Sequence, residues 1–306
     1  MADISKHTIS PTIQAIYKHR EDTQDSYHRA HLGASQIGAS CSRALWYQFR
    51  WVKKQRHSGQ LLRLFETGQL AEDRFVEELR SIGCEVWEAD PETGRQFNIK
   101  ACGGHFGGSM DGIATGIKEA PDKPHVVEMK THNDKSFKEL VKSGVQKAKE
   151  QHYAQMQVYM RRMDIDRAFY IAVNKNNDEL YGERVRLDPA YADRLIEKAQ
   201  RIIFTDTPPQ GVSENPSWYE CKWCDYHDIC HNGAMSERNC RTCTQITAEQ
   251  DGTWNCEKHN TDLTTKEQRL GCPDHRYNPN LIKSVPVEMI DGVIKYENGY
   301  EDDGQC

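Results

Sequence analysis

Apolar residues recur at helical spacing through Leu61, Leu64, Phe65, Phe75, Val76 and Leu79, which predicts a helix over 61–82 with Gly83 as its cap glycine. Upstream, 35–51 reads as a loop feeding an aromatic-rich helix. Strand-like runs then follow at 85–88, 97–100, 106–117 and 125–131, the last after the turn-forming stretch 118–124, and the pattern reads as an antiparallel meander. Helical periodicity returns over 145–163, an apolar strand over 168–173 and an alternating strand over 180–186. A helix over 189–204 has Asp188 as its N-cap. This order predicts an α/β fold, a mixed central sheet flanked by helices. Past Thr205 the prolines 208, 209 and 216 lead into cysteine-dense sequence with little periodicity. The expected division is a catalytic domain over 1–235 and a small C-terminal zinc-binding appendage over 236–306, whose acidic end, 297–306, is expected to fray.

Composition narrows the class. No run of about 18 apolar residues suggests a membrane span, and residues 1–20 are polar where a secretory signal would be apolar, so a cytoplasmic protein without membrane contact is expected. Eleven cysteines in such a chain point to metal binding rather than disulfides. The formal net charge of -6 argues only weakly against a nucleic-acid partner, because position matters more than the sum. Arg43, Arg50, Lys53, Lys54, Arg56 and Arg63 share a segment free of acidic residues and interleaved with Trp46, Tyr47, Phe49 and Trp51. Two readings stay open: a solvated face over core aromatics, or a phosphate-tracking groove.

Candidate chemistry centres on Asp111, in Gly107-Gly108-Ser109-Met110-Asp111-Gly112, and on Glu128-Met129-Lys130. Period-two geometry puts Glu128 and Lys130 on one strand face, where both can meet Asp111. Two carboxylates and the Met129 carbonyl suit a hard cation such as Mg²⁺ or Mn²⁺ and leave positions for phosphate and water. Lys130 would orient the water or stabilise developing charge. A cross-strand salt bridge is the bland alternative for Glu-x-Lys alone. The surrounding order gives the motif weight: Gly68-x-x-x-Glu72 on the preceding helix, and His152-x-x-Gln155-x-x-x-Tyr159 on the helix after. Gln155 and Tyr159, one turn apart, share a face.

Two cysteine groups complete the inventory. Cys221-x-x-Cys224-x5-Cys230 leaves a four-thiolate site one ligand short, and Cys41 is the evident distant donor. Cys240-x-x-Cys243, Cys256-x-x-His259 and Cys272-x-x-His275 have zinc-ribbon-like spacing, with Cys240, Cys243, Cys256 and Cys272 favoured and His275 or His259 able to replace one thiolate. Cys84 and Cys102 read as buried apolar residues and Cys306 as a free tail thiol.

This ordered set resembles the PD-(D/E)xK nuclease superfamily, in particular its RecB-like branch with an iron-sulfur cluster, similar to AddB nuclease domains and the CRISPR-adaptation iron-sulfur nuclease. The resemblance covers roughly residues 30 to 235 and implies a restriction-endonuclease-like core, with Glu72, Asp111 and Glu128 as metal ligands, Lys130 as the catalytic lysine, and Gln155 and Tyr159 contacting DNA or the metal shell. Many members of the iron-sulfur subgroup carry a histidine where this chain has Glu72. The resemblance also implies a four-iron, four-sulfur centre on Cys41, Cys221, Cys224 and Cys230, although the same thiolates would suit structural zinc. Function is expected to be hydrolysis of DNA, as an exonuclease on ends or single strands, in recombination, repair or viral DNA processing in a phage or prophage setting, with a recombination partner protein as a further expectation. The alternative is a catalytically silent scaffold of the same fold.

Overall fold

The computed structural model describes residues 10–24, 28–291, 293–297, 299 and 301–302. Helix α1 (Pro11–Thr23) leads to strand β1 (Leu32–Gly33), then α2 (Ser42–Phe49) and the long α3 (Gly59–Ser81). Strands β2 (Glu85–Trp87), β3 (Asn98–Ala101), β4 (Phe106–Ser109), β5 (Gly112–Thr115) and β6 (His125–His132) follow. Next come α4 (Asp134–Ala148), α5 (Glu150–Met163), β7 (Arg167–Asn174), β8 (Leu180–Arg186) and α6 (Pro189–Ile203). Short helices α7 (Tyr219–Lys222) and α8 (His227–His231) precede strands β9 (Ile246–Ala248), β10 (Trp254–Cys256) and β11 (Thr261–Asp262), and helix α9 (Thr265–Leu270) follows. The chain closes with β12 (Pro286–Ile290), β13 (Val293–Tyr296) and β14 (Glu301–Asp302).

The central sheet has the order β2-β5-β6-β7-β8 and is mixed: β6 and β7 run parallel, and the other pairs are antiparallel. A parallel pair needs a crossover, and α4 with α5 supply it. On one face α3 packs Phe75, Val76 and Leu79 against Val127, Met129 and Ile171. Full burial of each such side chain stabilises by roughly 1.5–3 kcal/mol. The other face carries Val126, Ala168 and Tyr170, which share a core with Val158 of α5 and Leu195 of α6. The expected α/β architecture, a mixed sheet flanked by helices, is what forms. Among the described residues no helix is long and apolar enough to cross a membrane.

Local signals held where they were strongest. Asp188 Oδ1 accepts the Tyr191 N–H at 3.0 Å at the start of α6, and Gly83, at φ 88°, follows α3. Several expectations need correction. The single strand expected over 106–117 divides into β4 and β5, which belong to different sheets: β4 joins β1 and β3, while β5 joins the central sheet. The expected four-strand meander is therefore only β2-β5-β6. The helix expected over 145–163 is α5 preceded by a separate helix, because Gly144 at φ 73° breaks α4. Helix α1 went unpredicted. It buries none of its residues, so its apolar positions carry no core-facing stripe. Of the acidic end expected to fray, Glu301 and Asp302 pair with Lys295 and Ile294 of β13, while residues 298, 300 and 303–306 lie outside the described residues. Cys306 lies outside the described residues.

The boundary expected between residues 235 and 236 runs through a shared core. Ile246, Trp254 and Leu281 belong to the same buried cluster as Trp46, Phe49 and Phe106. Arg241 is completely buried and donates to Phe49 O, Ala30 O and Gln268 Oε1, each at 2.9 Å. Asn239 Nδ2 donates to Trp51 O at 2.9 Å, and the backbones of Gly103 and Gly252 meet where no side chain would fit.

Candidate active site

The division between β4 and β5 creates the site. Asp111 lies at the crossover between the two sheets, just before β5, and its Oδ2 accepts the Met129 backbone N–H of β6 at 2.8 Å. The carboxylate thereby occupies the place of a ladder partner and is held against the strand that carries Glu128 and Lys130. Lys130 Nζ lies 2.6 Å from Glu128 Oε1 and 3.3 Å from Asp111 Oδ2, and donates to Met129 O at 2.9 Å. The expected meeting of two acids and one ammonium is present.

Electrostatics make this group unusual. Glu128 has no solvent exposure, and its Oε2 has no hydrogen-bond partner. Burial pushes its carboxyl up to about 7 despite the Lys130 charge, with Asp111 and Glu72 adding to the rise. Glu72, half-buried on α3, is likewise pushed up to about 7, first by burial and then by Asp111. Burial opposes the Lys130 charge, but Glu128 and Asp111 outweigh it and hold the ammonium well above its usual range. Three carboxyls near one ammonium, one with an orphaned buried oxygen, leave negative charge that a cation would satisfy. The donor set is oxygen only, which fits a hard divalent ion.

Helix α5 covers this group. Tyr159 OH donates to Ser109 O at 2.7 Å and accepts from Gln155 Nε2 at 3.3 Å, so both residues brace the strand end that leads into Asp111. Gly108 makes the approach possible: a Cβ there would sit 2.7 Å from the Tyr159 oxygen. The glycine pair before Asp111 thus has a steric reason.

Sequence reasoning missed a buried polar chain beside Lys130. The Tyr170 hydroxyl lies 2.8 Å from His132 Nε2 and 2.9 Å from His152 Nδ1, and His132 Nδ1 continues to Ser136 Oγ at 3.1 Å. Lys149 donates to Ser136 at 2.7 Å. Burial, then nearby lysine charge, pushes His132 down to about 4 and His152 down to about 3. The available signal was periodicity: His132 continues the Glu128/Lys130 face of β6, and His152 precedes Gln155 by three residues on α5.

The cysteines also assemble. Cys41, Cys221, Cys224 and Cys230 line one cavity under α2 and α8, and Arg43 Nη1 donates to Cys230 Sγ at 3.4 Å. Burial first, and then proximity to Cys41 and Cys230, raises the Cys221 and Cys224 thiols. In the C-terminal region, burial and the neighbouring Cys272, Cys243 and Cys256 push the Cys240 thiol up to about 12. His275 is turned to Thr242 Oγ1 at 3.2 Å, whereas His259, Cys272 and Asp274 bring potential ligand atoms within 4.8 Å of one another. All ten cysteines of the described residues are free thiols.

The basic segment divides by depth. Trp46, Tyr47, Phe49 and Trp51 are core, Arg50 is buried on Thr205 O and Asp206, and Arg43 is tied to Glu214. Lys53, Lys54, Arg56 and Arg63 are exposed.

A mixed sheet between helices, with acids gathered at the β5/β6 junction, defines a restriction-endonuclease-like α/β protein. Residues 13–231 match the family model of the PD-(D/E)XK nuclease superfamily, and the chain belongs to that superfamily. Its members generally use divalent metals such as Mg or Mn, and the family implies a DNA substrate. A structure of an alkaline exonuclease (LHK-Exo) from Laribacter hongkongensis is similar over 62% of this chain and 90% of its own, at 18% identity and TM-score 0.42. LHK-Exo in complex with dAMP gives 17% identity over the same shares at TM-score 0.42. The structure of SSO0001 covers 72% of this chain and 96% of its own, at 16% identity and TM-score 0.39. No curated protein sequence matches.

Proposed function

We propose that this chain is a Mg²⁺- or Mn²⁺-dependent deoxyribonuclease that hydrolyses phosphodiesters, acting as an exonuclease on DNA ends or single strands. The observation that carries the reading is the buried Glu128 carboxylate, one oxygen orphaned, gathered with Asp111 and Lys130 at the β5/β6 junction. Asp111, Glu128, Glu72 and the Met129 carbonyl would hold the cation. When bound, it supplies Lewis-acid polarisation of the phosphodiester and a more acidic water. Lys130, kept protonated by its two carboxylates, orients water and stabilises charge on the phosphoryl oxygens. Gln155 and Tyr159 fix the Ser109–Asp111 backbone and keep Asp111 aimed at the site.

The two thiol groups receive separate metals in this reading. Cys41, Cys221, Cys224 and Cys230 would hold a four-iron, four-sulfur cluster that ties α2 to the segment after α6. Cys240, Cys243, Cys256 and Cys272 would hold zinc, with His259 and Asp274 beside Cys272. Each set supplies the four thiolate donors that such a metal takes. The reading retains a recombination, repair or phage setting and a partner protein there.

The test uses the full-length protein with end-labelled linear DNA and closed single-stranded circles, with and without Mg²⁺ or Mn²⁺. The expected result is metal-dependent release of nucleotides from linear DNA and none from circles, with Asp111→Ala and Lys130→Ala slowed at least about 100-fold, on the order of 3 kcal/mol in the transition state. A folded wild-type protein inert on both substrates with either metal would overturn the reading.

A further inference from the structure

Two surface features outside the carboxylate group remain unexplained, and they adjoin. The first is a cavity of about 130 Å³ lined by Lys53, Lys54, Arg56, Asp225 and Tyr226. Lys53 Nζ is spent on the Asp225 carbonyl at 2.7 Å, but Lys54 and Arg56 form no ion pair among the described residues. A concave patch with two such cations and one acid favours an anion. The second is an apolar stripe on α3. Leu61, Phe65, Gly68 and Glu72 fall on one helical face, since seven residues make nearly two turns. Phe65 is 46% exposed and its neighbour Leu64 43%, and nothing lies within 4 Å of where a Gly68 Cβ would be.

His57 joins the two features. It ends the basic loop, and its ring meets Phe65 edge-on with centroids 5.2 Å apart. The stripe runs from that contact to Glu72, roughly 10 Å further along the helix at 1.5 Å per residue. Cations, then an exposed aromatic face, then open space, then the carboxylates form a continuous surface. An unpaired nucleic-acid strand has this chemistry: phosphates for cations, and a base whose flat face stacks on an aromatic ring without regard to sequence. A duplex keeps its base faces hidden and could use only the cations.

We propose that the loop at Lys53–His57 and the Leu61/Phe65/Gly68 face of α3 form a track for an unpaired DNA strand leading to the carboxylate group. A phosphate sits in the Lys54/Arg56 cavity, a base lies on Phe65, and Gly68 leaves room for the strand to pass toward Glu72. This rests on the nuclease reading and adds to it the residues that grip an unpaired strand.

Binding is measured without added Mg²⁺ or Mn²⁺ by fluorescence anisotropy, with fluorescein-labelled oligo(dT) and a labelled duplex of equal length, so the outcome is independent of turnover. Phe65→Ala is expected to weaken oligo(dT) binding roughly tenfold and leave duplex binding unchanged, as loss of one stacked base should. Phe65→Trp should restore affinity, with its emission quenched on binding. Lys54→Gln/Arg56→Gln should weaken binding and flatten the salt dependence by about one unit of slope, one phosphate contact or slightly more. Thermal melts of each variant establish that it is folded. Equal loss on duplex and single strand for Phe65→Ala, an unchanged affinity, or a wild type that binds no oligo(dT) would overturn the track. A variant that binds oligo(dT) as wild type while the wild type still hydrolyses DNA would overturn the track alone and leave the nuclease reading standing.

Discussion

The Arg241 guanidinium lies 3.7 Å from the centroid of the Trp51 ring, completely buried and without a carboxylate partner among the described residues. Three acceptors and the rings of Phe49, Trp51 and Trp254 replace the counter-ion. Arg241→Ala would orphan those acceptors and leave a hole, so it should cost about 3 kcal/mol or more. The urea midpoint reads this directly. Truncation after Met235 should go further and yield insoluble protein, because it strips cover from Phe49 and Trp51.

Gly108→Ala should reduce hydrolysis about tenfold or more while costing roughly 1–3 kcal/mol of stability, since the new methyl meets the Tyr159 hydroxyl. Combining it with Tyr159→Phe, which removes that oxygen, should give a smaller stability loss than the sum of the two single changes. Additive losses in the double mutant cycle would show that the strain falls elsewhere.

The elements legible in the sequence were those written locally. Asp188 before Pro189 announces a helix start, and residues 180–186 alternate as an exposed-edged strand should. The division of residues 106–117 was hidden, because membership of a sheet depends on partners that can lie far along the chain, such as Leu32 of β1, which pairs with Phe106. Gly144 could equally have sat inside a helix, and only its tertiary setting, with the Val145 N–H donating to Glu183, selects φ 73°. The carboxylates, lysine and cysteines stood out by spacing. His152 stood out only as the start of the Gln155/Tyr159 motif, and its link to His132 did not, since Tyr170, which joins them, comes from a different strand.

Cys41→Ser and Cys243→Ser should separate the two thiol groups. The first should remove iron and visible absorbance and spare zinc; the second should do the reverse. Metal content of protein purified without oxygen decides it. A single variant that empties both sites would mean that the sets exchange ligands.

The buried imidazoles give a pH dependence with a definite sign. His132 and His152 are held neutral, with folded values near 4 and 3 against about 6.5 when unfolded. Between those values the unfolded chain takes up more protons, so stability falls as pH drops from about 6.5 toward 4. Above 6.5 both states are neutral and the contribution is flat. Replacing His132 with Gln should flatten part of that slope in melts taken from pH 8 to 4, and an unchanged slope would argue against a neutral imidazole there.

The long reach of α2 has a consequence for how the chain is made. Trp46 Nε1 donates to Thr205 O, 159 residues later, and Arg43 finds Glu214 171 residues later. At a synthesis rate of about 5–20 residues per second, the aromatic turn of α2 leaves the ribosome roughly 10–30 s before its partners exist. During that interval the chain displays Trp46, Tyr47, Phe49 and Trp51 with nothing to cover them. Yield in a cell should therefore follow the supply of holding chaperones and the speed of translation more closely than the stability of the finished protein.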